Sequence, residues 1–221
     1  MERLLNNDVV EQVKEAFQEL QEPVTVLFFE DDSCEYCSDT RQLVKEVAEL
    51  SDLIDLKEYD MNEDSELAEK FQVDKTPGLV IASADEKGEI MDYGIRFAGI
   101  PSGHEFTTLI QDLLIVSARN PELTPETMEF LDQLDQTIHL QVFVTPTCPY
   151  CPQAVVLAHR LAFASDKIQA EMVETSEFMD LARKFQVSGV PDTSINHGAG
   201  KVVGAVPEEN LIKEIQQALG S

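Results

Sequence analysis

Apolar and polar positions alternate along the chain in two rhythms. Val9, Val10, Val13, Phe17 and Leu20 fall roughly on one face of a 3.6-residue repeat, so residues 8–20 are predicted to form a helix that Pro23 ends. Residues 24–29 are a short β-rich run and read as a buried strand. A second helix follows Asp31-Asp32-Ser33-Cys34 and runs to about Leu50, with Leu43, Val44 and Val47 apolar. Residues 53–59 alternate as a strand, 64–71 form a short helix, and 73–77 turn into a strand at 78–82. Asp85-Glu86-Lys87-Gly88 is a hairpin turn, and the strand after it runs to about Ala98 before Gly99-Ile100-Pro101 breaks it. Ser102-Gly103-His104-Glu105 has capping-box spacing and is expected to open a helix to about Ser117.

The stretch from Ala118 to Pro125 is polar and holds two prolines, which places a boundary there: residues 1–118 form one unit and 119–221 another. Thr124 is expected as an N-cap with Pro125 at the first helical position. The same order of elements then returns. Cys34 to Cys148 is an offset of 114, and so is Cys37 to Cys151. Phe71-Gln72-Val73 returns as Phe185-Gln186-Val187, and Pro77 as Pro191, at that same offset of 114. One offset shared by cysteines, a tripeptide and a proline marks an internal duplication. The register slips afterwards: Pro77 to Gly99 spans 22 positions but Pro191 to Gly204 only 13, so the first unit's hairpin is predicted to be longer. Each unit reads helix, strand, Cys-bearing helix, strand, helix, proline, hairpin and final helix. That order predicts an α/β fold, a mixed sheet with helices on both faces in each unit.

Composition narrows the function. With 42 acidic and 16 basic residues the formal charge is −26, which disfavours nucleic acid and anionic membrane as partners. No run approaches the roughly 18 apolar residues of a membrane span, and Met1–Asp8 has no long apolar stretch, so a cytoplasmic location is expected. There is no Trp, and the 11 Phe residues are expected to carry much of the aromatic packing; Met172 and Met179 are assigned to the core.

All four cysteines lie in two C-x-x-C pairs, which in a cytosolic chain favours catalysis or metal binding over stapling. Cys148-Pro149-Tyr150-Cys151 follows the apolar run Leu140-Gln141-Val142-Phe143-Val144 and precedes the helical pattern Ala154, Val155, Leu157, Ala158, Leu161, Ala162. The thiols thus sit where a strand ends and a helix begins. Free N–H groups and the helix dipole stabilise a thiolate there. A thiolate at Cys148 can attack a disulfide, and Cys151, one turn on, can resolve the mixed disulfide. No metal is expected: zinc ribbons space their pairs by about 15–20 residues, whereas 110 residues separate Cys37 from Cys148. His104, His139, His159 and His197 show no ligand spacing and are assigned to surface or core; Gly198-Ala199-Gly200 reads as a hairpin turn. Asp31, Asp32 and Glu35 crowd Cys34 with negative charge, while no acid lies near Cys148 in sequence, so Cys148 is expected to have the lower thiol pKa.

Strand, C-x-x-C, helix and a later strand opened by proline resemble the thioredoxin and glutaredoxin fold, and Cys148-Pro149-Tyr150-Cys151 is similar to the glutaredoxin motif. Two such units in tandem, with Tyr93-Gly94-Ile95-Arg96 and Gly103-His104-Glu105-Phe106, resemble the protein disulfide oxidoreductases of archaea and thermophilic bacteria. The resemblance implies that Cys34 and Cys148 are nucleophiles and that Cys37 and Cys151 resolve. Glu35, Tyr36, Pro149 and Tyr150 flank them. It implies cis bonds at Thr76-Pro77 and Val190-Pro191, with Thr76 and Val190 presenting backbone to a substrate chain. It implies reduction, formation and reshuffling of protein disulfides. No cofactor would be bound beyond the redox-active pairs, and NADPH would act only through a thioredoxin-reductase-like flavoprotein. An electron relay to a peroxidase such as a peroxiredoxin is an alternative, and a non-enzymatic zinc-binding or interaction module is another. The chain departs from thioredoxins where a buried acid stands six residues before the first cysteine: here those positions are Phe28 and Val142, and Glu30 is one candidate to replace it. The Trp preceding the first cysteine is replaced by Ser33 and Thr147, which leaves glutathione use open.

Overall fold

The β-rich runs of both units pair into one eight-stranded sheet. The computed structural model describes residues 3–85 and 87–220; Glu86, in the first predicted hairpin turn, lies outside them, as do Met1, Glu2 and Ser221. In the first unit, helix α1 (Asn7–Ala16) is followed by a 3-10 turn (Phe17–Glu19), strand β1 (Val24–Glu30), α2 (Cys37–Ala48), β2 (Ile54–Asp60), α3 (Ser65–Lys70), β3 (Gly78–Ala84), β4 (Ile90–Ala98) and α4 (Glu105–Ala118). The second unit repeats the order with α5 (Pro125–Asp132), β5 (Ile138–Val144), α6 (Cys151–Ala164), β6 (Ile168–Glu174), α7 (Met179–Lys184), β7 (Asp192–Ile195), β8 (Gly200–Val203) and α8 (Glu208–Leu219). The first unit's hairpin strands are seven and nine residues long and the second's four each, as the slipped register predicts.

Spatial order is β2-β1-β3-β4-β6-β5-β7-β8. Within each unit the hairpin strand runs antiparallel to the central strand, β1 or β5. The two half-sheets join where β4 pairs parallel with β6, Ile95 opposite Ala170 through Ala98 opposite Val173. The duplication predicts a sheet in each unit; the edge pairing that fuses them depends on two strands 75 residues apart meeting in register, counted from Ile95 to Ala170.

Alternation along the strands divides the core by face. One face carries a continuous layer: Val26 and Phe28 of β1, Leu79 and Ile81 of β3, Phe97 of β4, Met172 of β6 and Leu140 and Val142 of β5, covered by apolar residues of α1, α2, α4, α5, α6 and α8. The opposite face carries two separate clusters. Leu27, Phe29 and Val80 lie with Ala68 and Phe71 of the α3 segment, and Phe143 and Val173 with Phe178, Leu181 and Phe185 around α7. Met172 is fully buried, but Met179 is 56% exposed, contrary to its assignment to the core. The α7 segment packs the half-buried Phe178, Leu181, Ala182 and Phe185 against the sheet, and Met179 lies about 100° round the helix from Phe178.

Local signals explain most helix boundaries. Asn6 accepts the amide of Val9 at 3.0 Å to start α1. Thr124 accepts the amide of Thr127 at 3.3 Å, with Pro125 in the first turn of α5, as expected. The expected capping box at Ser102 does not form: α4 starts at Glu105 with His104 as N-cap, and the Glu105 carboxyl accepts the Thr108 hydroxyl at 2.6 Å instead of reaching back. The loop before α4 is held from elsewhere, because the His104 amide donates to the Pro146 carbonyl of the second unit at 2.9 Å. In the second hairpin the turn comes earlier than Gly198-Ala199-Gly200, as a 3-10 turn at Asn196–Gly198.

Candidate active site

Both cysteine pairs stand at one edge of the sheet. Strands β1 and β5 run in the same direction, since β1 and β4 are each antiparallel to β3, and β4 and β5 each parallel to β6. Each ends four residues before its first cysteine, and Cys37 and Cys151 are the first residues of α2 and α6. Four strand spacings separate the two sites, roughly 19 Å along the sheet. Both pairs are closed as disulfides, Cys34 with Cys37 and Cys148 with Cys151. Within each pair the first sulfur-bearing residue is the less buried. Cys34 is half-buried against 4% exposure for Cys37, and Cys148 is 8% exposed against 0% for Cys151. Glu35, Tyr36, Pro149 and Tyr150 are exposed around them, Tyr150 to 68%.

Sheet register brings the prolines to this edge. Gly78, after Pro77, lies opposite Phe29, and Asp192, after Pro191, opposite Phe143. The Thr76-Pro77 and Val190-Pro191 bonds are both cis, with each proline buried and the residue before it half-buried. The two prolines are held alike: the Gly99 amide donates to the Pro77 carbonyl at 2.9 Å, and the Gly204 amide to the Pro191 carbonyl at 2.7 Å. At the first site Asp31 ties the proline loop to the cysteine loop. Its carboxylate accepts the Ser33 amide at 2.6 Å, the Ser33 hydroxyl, and the Thr76 hydroxyl. Those hydrogen bonds from Ser33 and Thr76 hold its pKa below the ordinary value and keep it charged beside Cys34. Val190 has no hydroxyl, so the second site lacks this tie.

Phe28 and Val142 are fully buried in the same cluster as Cys37, Cys148 and Cys151, so neither unit supplies a carboxyl from its own central strand at that position. Glu30 is ion-paired with Arg41, which also reaches Glu58 at 3.3 Å. A different carboxyl comes into place at the second site. Asp112 of α4 and His159 of α6, both fully buried, hydrogen-bond at 2.6 Å. Glu105 lies seven residues before Asp112 and Cys151 eight before His159, two turns back on each helix. The loop preceding α4 sits on Pro146, which lies just ahead of α6. The two helices therefore run side by side from adjacent starts, and Glu105 stands alongside the first turn of α6. Glu105 is 1% exposed, and burial pushes its pKa up to about 7 against the opposing Thr108 hydroxyl and His159 charge. Its capping-box spacing was the sequence's signal at this position: the helix starts there as expected, but the cap itself does not form.

A cleft of about 1260 Å³ lies on the other face of the sheet between α3 and α7, lined by Lys75, Arg96, His139, Gln141, Glu171 and Phe185 among others. Its charges are largely paired, Lys75 with Glu171 at 2.9 Å and Arg96 with Asp92 at 2.8 Å, and it holds none of the cysteines. Burial holds His139 there at a pKa of about 4. Among the described residues no group of three or more His, Cys, Asp or Glu is placed to hold a metal ion, and no helix is long and apolar enough to cross a membrane.

Strand-end cysteine pairs opposite buried prolines, twice in one sheet, define a tandem thioredoxin-like protein. Residues 138–217 match a family model described as thioredoxin domain. A protein disulfide oxidoreductase from Aeropyrum pernix has a structure that superposes with a TM-score of 0.88 at 31% identity, over 99% of this chain and 96% of that one. The alkylhydroperoxide reductase AhpF of Enterococcus faecalis superposes at 0.87 with 27% identity, over 96% of this chain and 100% of that one. The chain is also 26% identical to an alkyl hydroperoxide reductase component of Staphylococcus aureus, over 99% of this chain but 38% of that one. It spans about a third of the length of the curated relatives it matches. The chain belongs to the protein disulfide oxidoreductase family of tandem thioredoxin-like proteins.

Proposed function

We propose that this chain is a thiol–disulfide oxidoreductase that reduces, forms or isomerises protein disulfides by dithiol exchange, in the cytoplasm. The observation that carries the reading is the pair of Cys-x-x-Cys disulfides at helix starts on one sheet edge, each beside a buried proline. In the reducing direction the thiolate of Cys34 or Cys148, the less buried member, attacks a substrate disulfide and one substrate sulfur leaves. Cys37 or Cys151 then loses its proton and attacks the mixed disulfide. The substrate gains two electrons and leaves as a dithiol, and the chain's pair closes as a disulfide. Thr76 and Val190 offer backbone to an extended substrate segment, with Pro77 and Pro191 beneath it. Glu105 is the proton acceptor for Cys151 in this reading, a buried carboxyl poised near neutrality. A thioredoxin-reductase-like flavoprotein drawing on NADPH restores the dithiols. The units 1–118 and 119–221 each carry one site.

Reduction of insulin disulfides tests the reading. Wild type with excess dithiol is expected to be active, the Cys34→Ser and Cys148→Ser single variants to lose part of that activity, and the double variant all of it. Full activity in the double variant refutes the reading. Similarity to components of alkyl hydroperoxide reductases favours a second reading, in which the reduced pairs pass electrons to a peroxidase. Peroxide consumption by a peroxiredoxin, dependent on the reduced chain, distinguishes it.

A further inference from the structure

The second unit reaches into the first unit's site through one side chain. Glu177, in the turn after β6, accepts the Ile100 amide at 2.7 Å. Ile100 follows Gly99, whose amide holds the carbonyl of Pro77. Two successive amides of one loop thus bind the active-site proline on one side and the Glu177 carboxyl on the other. The approach is close enough to demand glycine: a Cβ on Gly99, at φ +98°, would lie 2.7 Å from the Glu174 Cβ and 2.8 Å from the Glu177 Oε1. The second oxygen of Glu177 is buried without a hydrogen-bond partner, and so is one oxygen of Glu174.

The groups facing Glu177 are all acidic or neutral. Its own amide donates to Glu174 at 2.7 Å, and Glu174, at the end of β6, is 3% exposed. From the first unit comes Glu35, the residue after Cys34. Among the described residues Glu177 has no cationic partner. We propose that Glu177 is a positioning residue for the Cys34–Cys37 pair, a carboxyl from the second unit whose charge sets how much negative field the first unit's nucleophilic thiol faces. Burial, with Glu174 and Glu35 adding to it against the Ile100 hydrogen bond, pushes its pKa up to about 7, so the charge changes within the working range. When Glu177 ionises, the Cys34 thiolate is disfavoured; when it is protonated, that opposition is lifted.

This inference rests on the dithiol-exchange reading, and the experiment separates the two. The rate of alkylation at each cysteine of the fully reduced, full-length chain is followed by mass spectrometry from pH 5 to 9. Wild type is expected to show at Cys34 a second inflection near pH 7 below the main thiol titration. Glu177→Gln is expected to remove that inflection and to raise the Cys34 rate at pH 7.5 by about 3–10-fold. Glu35→Gln, at an exposed position, provides a variant with little risk to folding and is expected to move the inflection to lower pH. Superimposed Cys34 profiles for wild type and Glu177→Gln, or an inflection that Glu35→Gln does not move, would each overturn the inference. An inactive wild type in insulin reduction overturns the functional reading instead.

Discussion

Burial of a carboxyl costs stability once it must ionise, and Glu105 accepts only the Thr108 hydroxyl on one oxygen while the other has no partner. Because its folded pKa is raised from 4.5 to about 7, the stability it contributes is fully present below pH 4.5 and is lost as pH rises through 7. Glu177 acts in the same direction over the same window. His139 acts oppositely: with its pKa lowered from 6.5 to about 4, its contribution is present above pH 6.5 and is lost as pH falls. Glu105→Gln is therefore expected to raise stability at pH 8 by about 1–3 kcal/mol in urea unfolding. The same change is expected to slow insulin reduction at the Cys148 site roughly tenfold, measured in a Cys34→Ser background. A variant that is stabilised without being slowed would make the carboxyl a structural burden alone. Asp31, half-exposed, is the opposite case, an acid kept charged by Ser33 and Thr76 beside Cys34. That placement supports the expectation that Cys148 alkylates faster than Cys34, which the same mass-spectrometric measurement checks.

At the scale of elements, α4 and α6 differ from the rest. Nine of the 14 residues of α4 are buried, leaving only Thr107 and Gln111 exposed, and eight of the 14 of α6. Helices with so narrow an exposed stripe are largely enclosed, and these two each pack on the sheet and on one another. By contrast α1 buries only Val10 and Val13 and keeps a polar face. The narrow polar stripes of α4 and α6 are visible in their residues; which helix covers which is not, because apolar surface is non-directional. The start of α4 also depends on tertiary contact. Gly103 has φ +60° and lies so close to Pro146 that a Cβ would strike its carbonyl. Gly103→Ala is expected to destabilise by on the order of 1–3 kcal/mol, whereas Gly189→Ala, with open space around its Cβ position, is the near-neutral control. Urea midpoints of the two variants check this; equal midpoints would mean the docking is loose.

Across the whole molecule, the junction of β4 with β6 makes one sheet of two units, and Asp112–His159, Lys75–Glu171 and Ile100–Glu177 cross it. Cutting at residue 118 would leave β6 as a bare edge and His159 buried without Asp112. The isolated 119–221 unit is expected to lose on the order of 3–5 kcal/mol of stability or to self-associate, which urea unfolding and sedimentation would reveal. A monomeric unit as stable as the full chain would show the units to be independent. Duplication, the succession of elements within a unit, both cysteine pairs and both prolines were legible in the chain itself, because 3.6- and 2-residue periodicities and a fixed 114-residue offset are local or countable properties. The placing of Glu105 and Glu177 was not: α4 packs on α6 and Glu177 binds the Ile100 amide across the two units, and the only local signal was a cap that does not form, or none at all. Sequence alone determined two thiol sites of one design. Only the tertiary structure decided that they share an edge and that Glu105 and Glu177 are buried where the units meet, because pairing of β4 with β6 and docking of α4 on α6 join residues far apart in the chain through surfaces that carry no pattern of their own.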